Sequence, residues 1–388
     1  MKTNKFLLGL LAVATLFVVG CAADDTADVT INQGGGSNPI NPSDLVIGGT
    51  LSENLTLSTG NEYNLTSGLI VPEGITLTIE PGVIVRANTS SDVYVAIQQG
   101  GVINAEGTSS NPIVFTSNSA TPNPGDWGGL IVLGRAPINS VVGGDATSTS
   151  EIGGLPYGGS IADDDSGIIR YVRIEYSGGA ADAASENNGF SFYGVGSGTT
   201  IDFIQAFEGA DDGVEFFGGT VNASHISVVG AQDDSVDWTE GFTGTLTDVY
   251  IEHRQSHDKG IEGDGFNTDI GNNSNPVFWS APTINNITIN GLGSSNGNEA
   301  IRLRAGTRAI FNNVFIEGFE EGYDLDDEET GNGFSAGDTS VTDITFDDIV
   351  LTLKNDTNIA FDADDFFSGI GNGTGADYDS WNSGWTRN

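Results

Sequence analysis

The sequence predicts an all-β protein: a single-stranded right-handed parallel β-helix, or solenoid, with loop insertions and a C-terminal cap. An internal repeat is the first observation, since residues 210–216 recur as 232–238 after 22 residues and as 257–263 after a further 25. Each repeat also alternates apolar and acidic residues, and 56 glycines provide for many turns. A repeat of this period is typical of a solenoid, and alternation with period two is typical of short strands.

The repeat also predicts which side chains stack on one another. Equivalent strands of a β-helix lie about 4.8 Å apart along its axis, so residues at equal positions of the repeat form columns. The predicted inward, apolar column is Phe190, Val214, Val236, Ile261, Ile301 and Tyr323. The predicted outward column is Ser191, Glu215, Asp237, Glu262, Arg302 and Asp324. A turn column, which we interpret as structural, holds His225, Asp248, Asn286 and Asn313.

The N-terminal segment resembles the leader of a secreted lipoprotein. Two lysines precede an apolar run over residues 6–19, and Cys21, the one cysteine of the sequence, follows it. The run is too short for an ordinary membrane-spanning helix. We expect residues 1–20 to be a lipoprotein signal peptide, Cys21 to be lipidated, and residues 21–44 to be a flexible tether. The competing interpretation is a plain secretion signal followed by a chance cysteine.

The β-helix domain is predicted to span residues 45–388. Residues 75–85 show the clean alternation of a strand pair around a Pro-Gly turn. Three stretches interrupt the coil spacing and are predicted to be loops: residues 139–166, 265–282 and 326–339. An open solenoid must cover its last coil, and we assign this role to Trp381 and Trp385.

Five motifs occur in an order that resembles a known family. They are LTIEPG (77–82), GDWGG (125–129), DDGVEFFGGTVN (211–222), DDSVDWT (233–239) and DKGIE (258–262). Together with the leader they resemble a family of bacterial, Bacteroidetes-type, right-handed parallel β-helix lipoproteins of the cell surface, whose function is unsettled. The resemblance covers about residues 45–388. It implies the fold and a lipid-anchored location in the outer membrane, facing the extracellular side, and it implies little about activity.

The charge of the chain is strongly acidic. It has 53 Asp and Glu against 13 Lys and Arg, for a formal net charge of −40. Such a surface argues against nucleic acid as a partner, because nucleic-acid binding needs a basic surface. It also argues against polyanionic substrates unless calcium bridges them. Two explanations stay open, a solubility adaptation and the binding of cations.

A first candidate site is the set of carboxylates that the repeat stacks. Like charges about 4.8 Å apart repel by roughly 1 kcal/mol in water and by several at a lower effective dielectric. Calcium would relieve this repulsion, since its ligands are oxygens. The alternative is a row of turn carboxylates that bond the backbone, with Lys259 and Arg302 as counter-ions. The candidate calcium ligands are Asp211, Asp212, Glu215, Asp233, Asp234 and Asp237.

A second candidate site is the turn at residues 253–264, where otherwise scarce basic groups cluster with acidic ones. Polysaccharide lyases on this fold use a Lys or Arg base with calcium, and glycoside hydrolases use paired carboxylates. The alternative is a solvated turn with local salt bridges. The candidate catalytic residues are His253, Arg254, His257, Lys259 and Glu262.

The sequence therefore predicts a cell-surface lipoprotein whose β-helix body binds or scaffolds, with extended glycans as the expected ligand and calcium as the expected cofactor. The alternative is a polysaccharide lyase or glycoside hydrolase that acts at the 253–264 turn. The expected partners are the membrane, through the lipid anchor, and a polysaccharide or another surface protein; nucleic acid is not expected.

Overall fold

The computed structural model describes most of the predicted β-helix domain. The described ranges are residues 45–140, 147–180, 186–254, 257–268 and 276–388. The predicted signal peptide, Cys21 and the predicted tether lie outside the described residues and stay predictions. None of the helices in the described ranges has the length and apolar character that crossing a membrane requires.

Parallel strands wind around the main core from Val46 to Ser368. They form a continuous 22-stranded sheet, and a two-stranded antiparallel hairpin lies beside it. This architecture is a right-handed parallel β-helix, and it confirms the predicted fold class. The strands are β1 (Val46–Thr50), β2 (Leu55–Leu57), β3 (Glu62–Val71), β4 (Thr76–Ile79), β5 (Ile84–Ala87), β6 (Val95–Ile97), β7 (Val102–Glu106), β8 (Ile113–Ser117), β9 (Leu130–Leu133), β10 (Thr147–Thr149), β11 (Pro156–Gly158), β12 (Gly167–Glu175), β13 (Phe190–Tyr193), β14 (Thr200–Phe207), β15 (Val214–Phe217), β16 (Ala223–Val229), β17 (Val236–Thr239), β18 (Thr245–Glu252), β19 (Ile261–Asp264), β20 (Thr283–Asn290), β21 (Glu299–Arg304), β22 (Ile310–Asp326), β23 (Ser340–Asp356) and β24 (Phe367–Ser368).

The front face of the solenoid is the stack of β6, β9, β13, β15, β17, β19 and β21, continued by the second halves of β22 and β23. Its register confirms the predicted inward column. Phe190 pairs with Val214, which pairs with Val236, and the column continues through Ile261 and Ile301 to Tyr323. All six side chains are buried in the interior, where apolar burial provides the main stabilisation of each coil.

The outward column has the predicted register but not the exposure of a solvated face. Ser191, Glu262 and Asp324 are buried. On the coils that precede Asp237, the stretch predicted as a loop at 139–166 lies over the outside of the front face, where its described part contains the hairpin β10–β11. Ile152 and Tyr157 of this stretch pack there against outward side chains of the front face and form a second, external apolar cluster with them. The members of this cluster are Ala96, Ile131, Leu133, Ile138, Ile152, Tyr157, Tyr193 and Phe217.

The predicted turn column is confirmed on the opposite side of the coil. The predicted members His225, Asp248, Asn286 and Asn313 all have a left-handed backbone, with φ between 52° and 61°. The structure extends the column to Tyr171, Phe203 and Asp343, which have the same conformation. Asn and Asp tolerate this conformation, and here their side chains also bond along the axis. Asn286 Nδ2 donates to Asp248 Oδ1 at 2.9 Å, and Asn313 Nδ2 donates to Asn286 Oδ1 at 2.9 Å. The aromatic members stack instead, with ring centroids 4.3 and 3.9 Å apart.

The third predicted loop, residues 326–339, is largely a helix, so the loop prediction was wrong there. Helix α1 spans Glu328–Ala336. The side chain of Asp327 accepts from Thr330 N at 2.9 Å, and Gly337 ends the helix with φ 83°. A propensity-based prediction misses this helix because it contains two internal glycines, and glycine disfavours a helix interior. Capping and packing outweigh the unfavourable propensity of these glycines.

The C-terminal cap exists, but its aromatic residues are not the predicted ones. The last coil is covered by Phe366 and Phe367, at the end of helix α2 (Ala363–Phe366), and both rings contact Tyr323 at centroid distances of 5.7 and 5.4 Å. Phe334 and Phe361 pack behind them at 4.5 Å from one another.

Residues 376–388, which we call the tail, turn back and run along the outside of the solenoid, so the assignment of the tryptophans to the last coil was wrong. Trp385 packs against Tyr171 and Phe203 on coils far from the last one. Arg387 Nη1 lies 2.7 Å from Glu175 Oε2. The tail also includes the short 3-10 helix Tyr378–Ser380.

Candidate functional site

The six predicted calcium ligands converge on the front face, and we call them the acidic patch: Asp211, Asp212, Glu215, Asp233, Asp234 and Asp237. Two aspartates end the turn before β15 and two end the turn before β17, while the remaining two residues point outward from these strands. Carboxylate oxygens of Asp212, Glu215 and Asp237 lie within 4.8 Å of one another. The same spacing holds for Asp212, Asp233 and Asp234. The stacked register therefore does concentrate these carboxylates.

Two of these aspartates also have a structural role. Asp212 Oδ1 accepts a hydrogen bond from Asp234 N at 2.9 Å, and Asp234 Oδ1 accepts one from Lys259 N at 2.8 Å. Each aspartate thus ties its coil to the next, as the turn interpretation expected. The other carboxylates differ: Glu215 Oε2 accepts from the Asn188 side chain at 2.6 Å, and Asp237 Oδ1 is buried without a hydrogen-bond donor among the described residues.

The acidic patch has few positive charges near it. Lys259 Nζ lies 3.6 Å from Asp234 Oδ1, 3.1 Å from Glu262 and 2.6 Å from Asp258. In the part of the chain that the structure describes, no lysine, arginine or histidine forms an ion pair with the other five members of the patch. Glu186 adds a further carboxylate, within 4.8 Å of Asp211 and Asp233.

Burial and mutual repulsion change the protonation of the patch. Burial, followed by the charges of Glu186 and Asp233, raises the pKa of Asp211 to about 8. Burial and neighbouring carboxylates hold the pKa values of Asp212, Glu215 and Asp237 well above their usual ranges. Desolvation and like charges both disfavour an ionised carboxylate. At neutral pH the patch therefore needs either bound protons or a bound cation.

The same face continues into a set of paired charges, which we call the paired segment: Glu262, Asp264, Arg302, Arg304, Asp324 and Lys354. Arg304 lies 2.5 Å from Glu262 and 2.6 Å from Asp264. Lys354 lies 2.8 Å from Asp324. Burial raises the pKa of Asp264 and Arg304 opposes the shift, so the pKa is about 6.

The candidate catalytic residues of the 253–264 turn separate into two environments. Lys259 and Glu262 meet at the edge of the acidic patch. Burial lowers the pKa of Lys259, but Asp234 and neighbouring carboxylates outweigh it and raise the pKa above its usual value. The side chain is therefore an ammonium ion held by carboxylates, which is a poor proton acceptor.

The other three candidates take no part in those ion pairs, although His257 Nδ1 lies 3.1 Å from the backbone oxygen of Asp258. Burial, with His257 adding to it, lowers the pKa of His253 to about 3, and the two imidazoles stack at 4.3 Å. Arg254 Nη1 lies 2.6 Å from Glu208, and its guanidinium lies over the Phe207 ring. The structure therefore does not gather the five candidates into one constellation.

Sequence reasoning missed a crevice that lies beside the acidic patch. It has a volume of about 280 Å³, and its lining includes Glu151, Tyr157, Tyr193, Phe217, Glu240 and Asn267. Tyr157 Oη and Ser140 Oγ donate to Glu240 Oε2 at 2.6 and 2.5 Å. The stacked pair of Tyr193 and Phe217 follows from the predicted register. No sequence pattern indicates that Tyr157 also lines the crevice, because Tyr157 lies 83 residues from Glu240 in sequence, in a loop without a repeat.

Comparison with known proteins supplies one result. The family model described as "Pectate-lyase like beta helix domain" matches residues 49–386. No curated protein and no solved structure gives a significant match. Since the match spans most of the sequence and the coils stack as this description requires, the chain belongs to the family of pectate-lyase-like β-helix domains.

Proposed function

We propose that this protein is a calcium-dependent glycan-binding module carried on a lipoprotein of the bacterial outer surface. One observation carries the proposal: five carboxylates of the acidic patch lie close together, without an ion pair in the described part of the chain. Membership of a pectate-lyase-like family supports a carbohydrate as the ligand. The long faces of a β-helix suit an extended polymer.

The geometry of the patch fits calcium. Calcium binds six to eight oxygens at about 2.3–2.6 Å, so two ligands on opposite sides of one ion lie up to about 5 Å apart. The 4.8 Å limit that joins Asp212, Glu215 and Asp237 falls inside this span. Asp237 Oδ1 offers a buried oxygen that no described donor uses. A bound ion would also neutralise carboxylates that otherwise hold protons at neutral pH.

Binding is better supported than catalysis. The alternative, a polysaccharide lyase or glycoside hydrolase at the 253–264 turn, needs a proton acceptor or donor within reach of a substrate. Lys259 is buried and held by three carboxylates. Arg254 is engaged by Glu208. Neither side chain is placed as a free base.

The location in this proposal depends on the N-terminal sequence. The apolar run of residues 6–19, the single Cys21 and the acidic residues after it support a signal peptide over residues 1–20 and a lipid anchor at Cys21. Residues 21–44 would then tether the domain of residues 45–388 to the outer membrane. The resemblance to Bacteroidetes-type surface lipoproteins supports exposure to the extracellular side.

Calcium titration by calorimetry tests the first half of the proposal. We expect the protein to bind calcium, and Asp237→Asn to weaken binding at least tenfold because it replaces a carboxylate ligand. Asp347→Asn, which removes an exposed carboxylate from β23, is the matched control and should bind as the parent does. Absence of calcium binding, or equal loss in both variants, would overturn the calcium site.

A glycan array tests the second half, with the protein in calcium and then in chelator. We expect binding that chelator removes. The same glycans should be incubated with the protein and followed by ultraviolet absorbance for unsaturated products and by reducing-end release. Chain cleavage that requires Lys259 or Glu262 would replace the binding function with the enzymatic alternative.

A further inference from the structure

A groove lies on the outside of β14, β16 and β18, which are not the strands that carry the acidic patch. It has a volume of about 560 Å³, which is within the range of ligand pockets. Its lining comes from the residues just before the left-handed turn on each of three successive coils. The outward side chains of this lining include Thr200, Asn222, Ser224, Thr245 and Thr247.

These polar side chains are within reach of a ligand and have hydrogen-bonding capacity to offer. Asn222 is exposed, and Thr200, Thr245 and Thr247 are half-buried. Asn222 Oδ1 accepts from Thr245 N at 2.9 Å, which orients the amide and leaves its Nδ2 for a ligand. No other described residue bonds this Nδ2 or the hydroxyl groups of the three threonines. A hydroxyl group can both donate and accept, so the groove can match a ligand that does the same.

The charges in the groove balance one another, in contrast to the chain as a whole. The charged residues of its lining are Arg170 and Asp202, whose Nε and Oδ2 atoms lie 3.4 Å apart. Arg170 Nη1 also lies 2.9 Å from Glu106. Asp202 Oδ1 accepts from Ser224 Oγ at 2.8 Å and lies 2.8 Å from His225 Nδ1. A charged ligand of either sign would therefore find no unpaired counter-charge in this groove.

The neutral polar surface continues along the axis beyond the groove. Ser224 and Thr247 are in register with Asn285, Asn312 and Thr342 on the next three coils. None of these five side chains carries a charge, and they repeat at the coil spacing of about 4.8 Å. A polymer that leaves the groove in this direction would thus continue to meet neutral hydrogen-bonding groups.

These features favour a neutral polysaccharide over other polymers. A polysaccharide presents hydroxyl groups along its whole length, as the groove does. Nucleic acid requires a basic surface. A bound peptide places alternate side chains in pockets, but the apolar lining residues Ile201 and Ala223 are each only 3 % exposed and offer none.

We propose that this groove is a second glycan site, which binds a neutral polysaccharide through hydroxyl and amide groups and needs no calcium. The inference goes beyond the proposed calcium-dependent function, because the groove and the acidic patch share no residue. The protein would then hold two kinds of glycan on two sides of one solenoid, one kind released by chelator and the other retained.

Calorimetry in calcium and in chelator tests the ligand class. The probes are neutral tetramers of glucose, mannose and galactose, a uronate tetramer, a free-amine hexosamine tetramer and a peptide of alternating serine and asparagine. We expect a neutral tetramer to bind equally in both conditions and at least tenfold more tightly than either charged tetramer. Absence of binding by all neutral tetramers, or binding that chelator abolishes, would overturn the second site. Equally tight binding of the peptide would overturn the sugar assignment.

Substitutions locate the binding. Thr247→Tyr fills the groove with a ring and suits a strand position, so it should reduce affinity for the neutral tetramer at least tenfold. Thr56→Tyr, at an exposed outward position of β2 far from the groove, is the matched control and should bind normally. If Thr247→Tyr fails to fold, Thr200→Tyr fills the groove from another coil and should have the same effect. Normal binding by a folded Thr247→Tyr or Thr200→Tyr would overturn the site.

The outcomes separate this inference from the proposed function. Thr247→Tyr should bind calcium, and any glycan that chelator releases, as the parent protein does. Calcium binding without calcium-independent binding of a neutral glycan would remove the inference and leave the proposed function. Binding of a neutral tetramer in chelator by a protein that takes up no calcium would remove the proposed calcium site and leave the inference.

Discussion

The acidic patch and the paired segment are parts of one ladder, and they deal with the same repulsion differently. Asp211 and Asp264 are similarly buried on the front face, at 8 % and 5 % exposure. The pKa is about 8 for Asp211 but about 6 for Asp264. The difference is Arg304, which lies 2.6 Å from Asp264, whereas Asp211 has carboxylate neighbours. The paired segment carries its own cations; the patch must take protons or cations from solution.

The largest expected difference is in pH dependence. The folded pKa of Asp211, about 8, lies above its ordinary value of 3.8, so between these values the folded state holds a proton that the unfolded state has lost. Without calcium, stability should therefore fall as pH rises from about 4 to 8, by about 1.4 kcal/mol per pH unit and group. For Asp211 alone this amounts to on the order of 5 kcal/mol over the full range.

Urea unfolding in chelator at pH 5, 6, 7 and 8 measures this slope. Asp264→Asn should change the dependence of stability on pH only below about pH 6, where the pKa of Asp264 lies. Asp211→Asn should make stability less dependent on pH up to about pH 8. Calcium should flatten it in the parent protein, because a bound cation keeps the carboxylates ionised. Stability that rises with pH between 6 and 8 in chelator would contradict an unpaired patch.

Removing a cation from the paired segment should leave buried carboxylates without an ion pair there, as in the acidic patch. Arg304→Met leaves Asp264 without its partner and Glu262 with Lys259 alone. Breaking a buried ion pair on one side costs about 3–5 kcal/mol. Arg86→Met is the matched control, since its pair with Glu62 is largely exposed and should be worth about 0–1 kcal/mol. Equal effects in denaturant unfolding would show that burial does not distinguish the two pairs.

Calcium should stabilise the patch by a smaller amount. Binding to the folded state alone adds about 2.7 kcal/mol to the free energy of unfolding at a hundredfold excess over Kd. The melting temperature should rise accordingly. Sodium at matched ionic strength should give only part of the rise, because screening weakens repulsion without coordination. The idea of a calcium-loaded patch would be abandoned if sodium and calcium raise the melting temperature equally.

The smallest expected effect comes from removing one charge of the patch. Asp237→Asn deletes a like charge and supplies a donor to the neighbouring carboxylates. Without calcium, the variant should be as stable as the parent or more stable by about 1 kcal/mol, the net value of one hydrogen bond. With calcium, its gain should be smaller than that of the parent. Thermal unfolding in both conditions measures this, and a variant destabilised without calcium would indicate that Asp237 has a structural partner.

The columns could be predicted because strand periodicity is local. Val214, Val236 and Ile261 alternate with Glu215, Asp237 and Glu262, and period two determines which set faces inward. Stacking then follows from the repeat, so the close approach of the patch carboxylates was also predictable.

The segments that cover these columns from outside could not be predicted in the same way. The hairpin β10–β11 buries Tyr193 and Phe217 from a loop with no repeat of its own. The tail brings Arg387 to Glu175 over 212 residues of sequence. Trp381 and Trp385 carried the right chemistry for a cover, but aromatic character alone does not say which coil is covered. Such long-range contacts depend on shape and not on periodicity.

The tail has a consequence for how the solenoid opens. A stack of coils joined only to its neighbours can fray from either end, each step independent of distant coils. Here Tyr378 stacks on Tyr250 at 3.7 Å, Ala376 N donates to Thr288 Oγ1, and Arg387 reaches Glu175. Opening one of these coils also loosens the tail on the others. Amide protons of widely separated coils should then exchange with one shared opening free energy, as in a single cooperative unit.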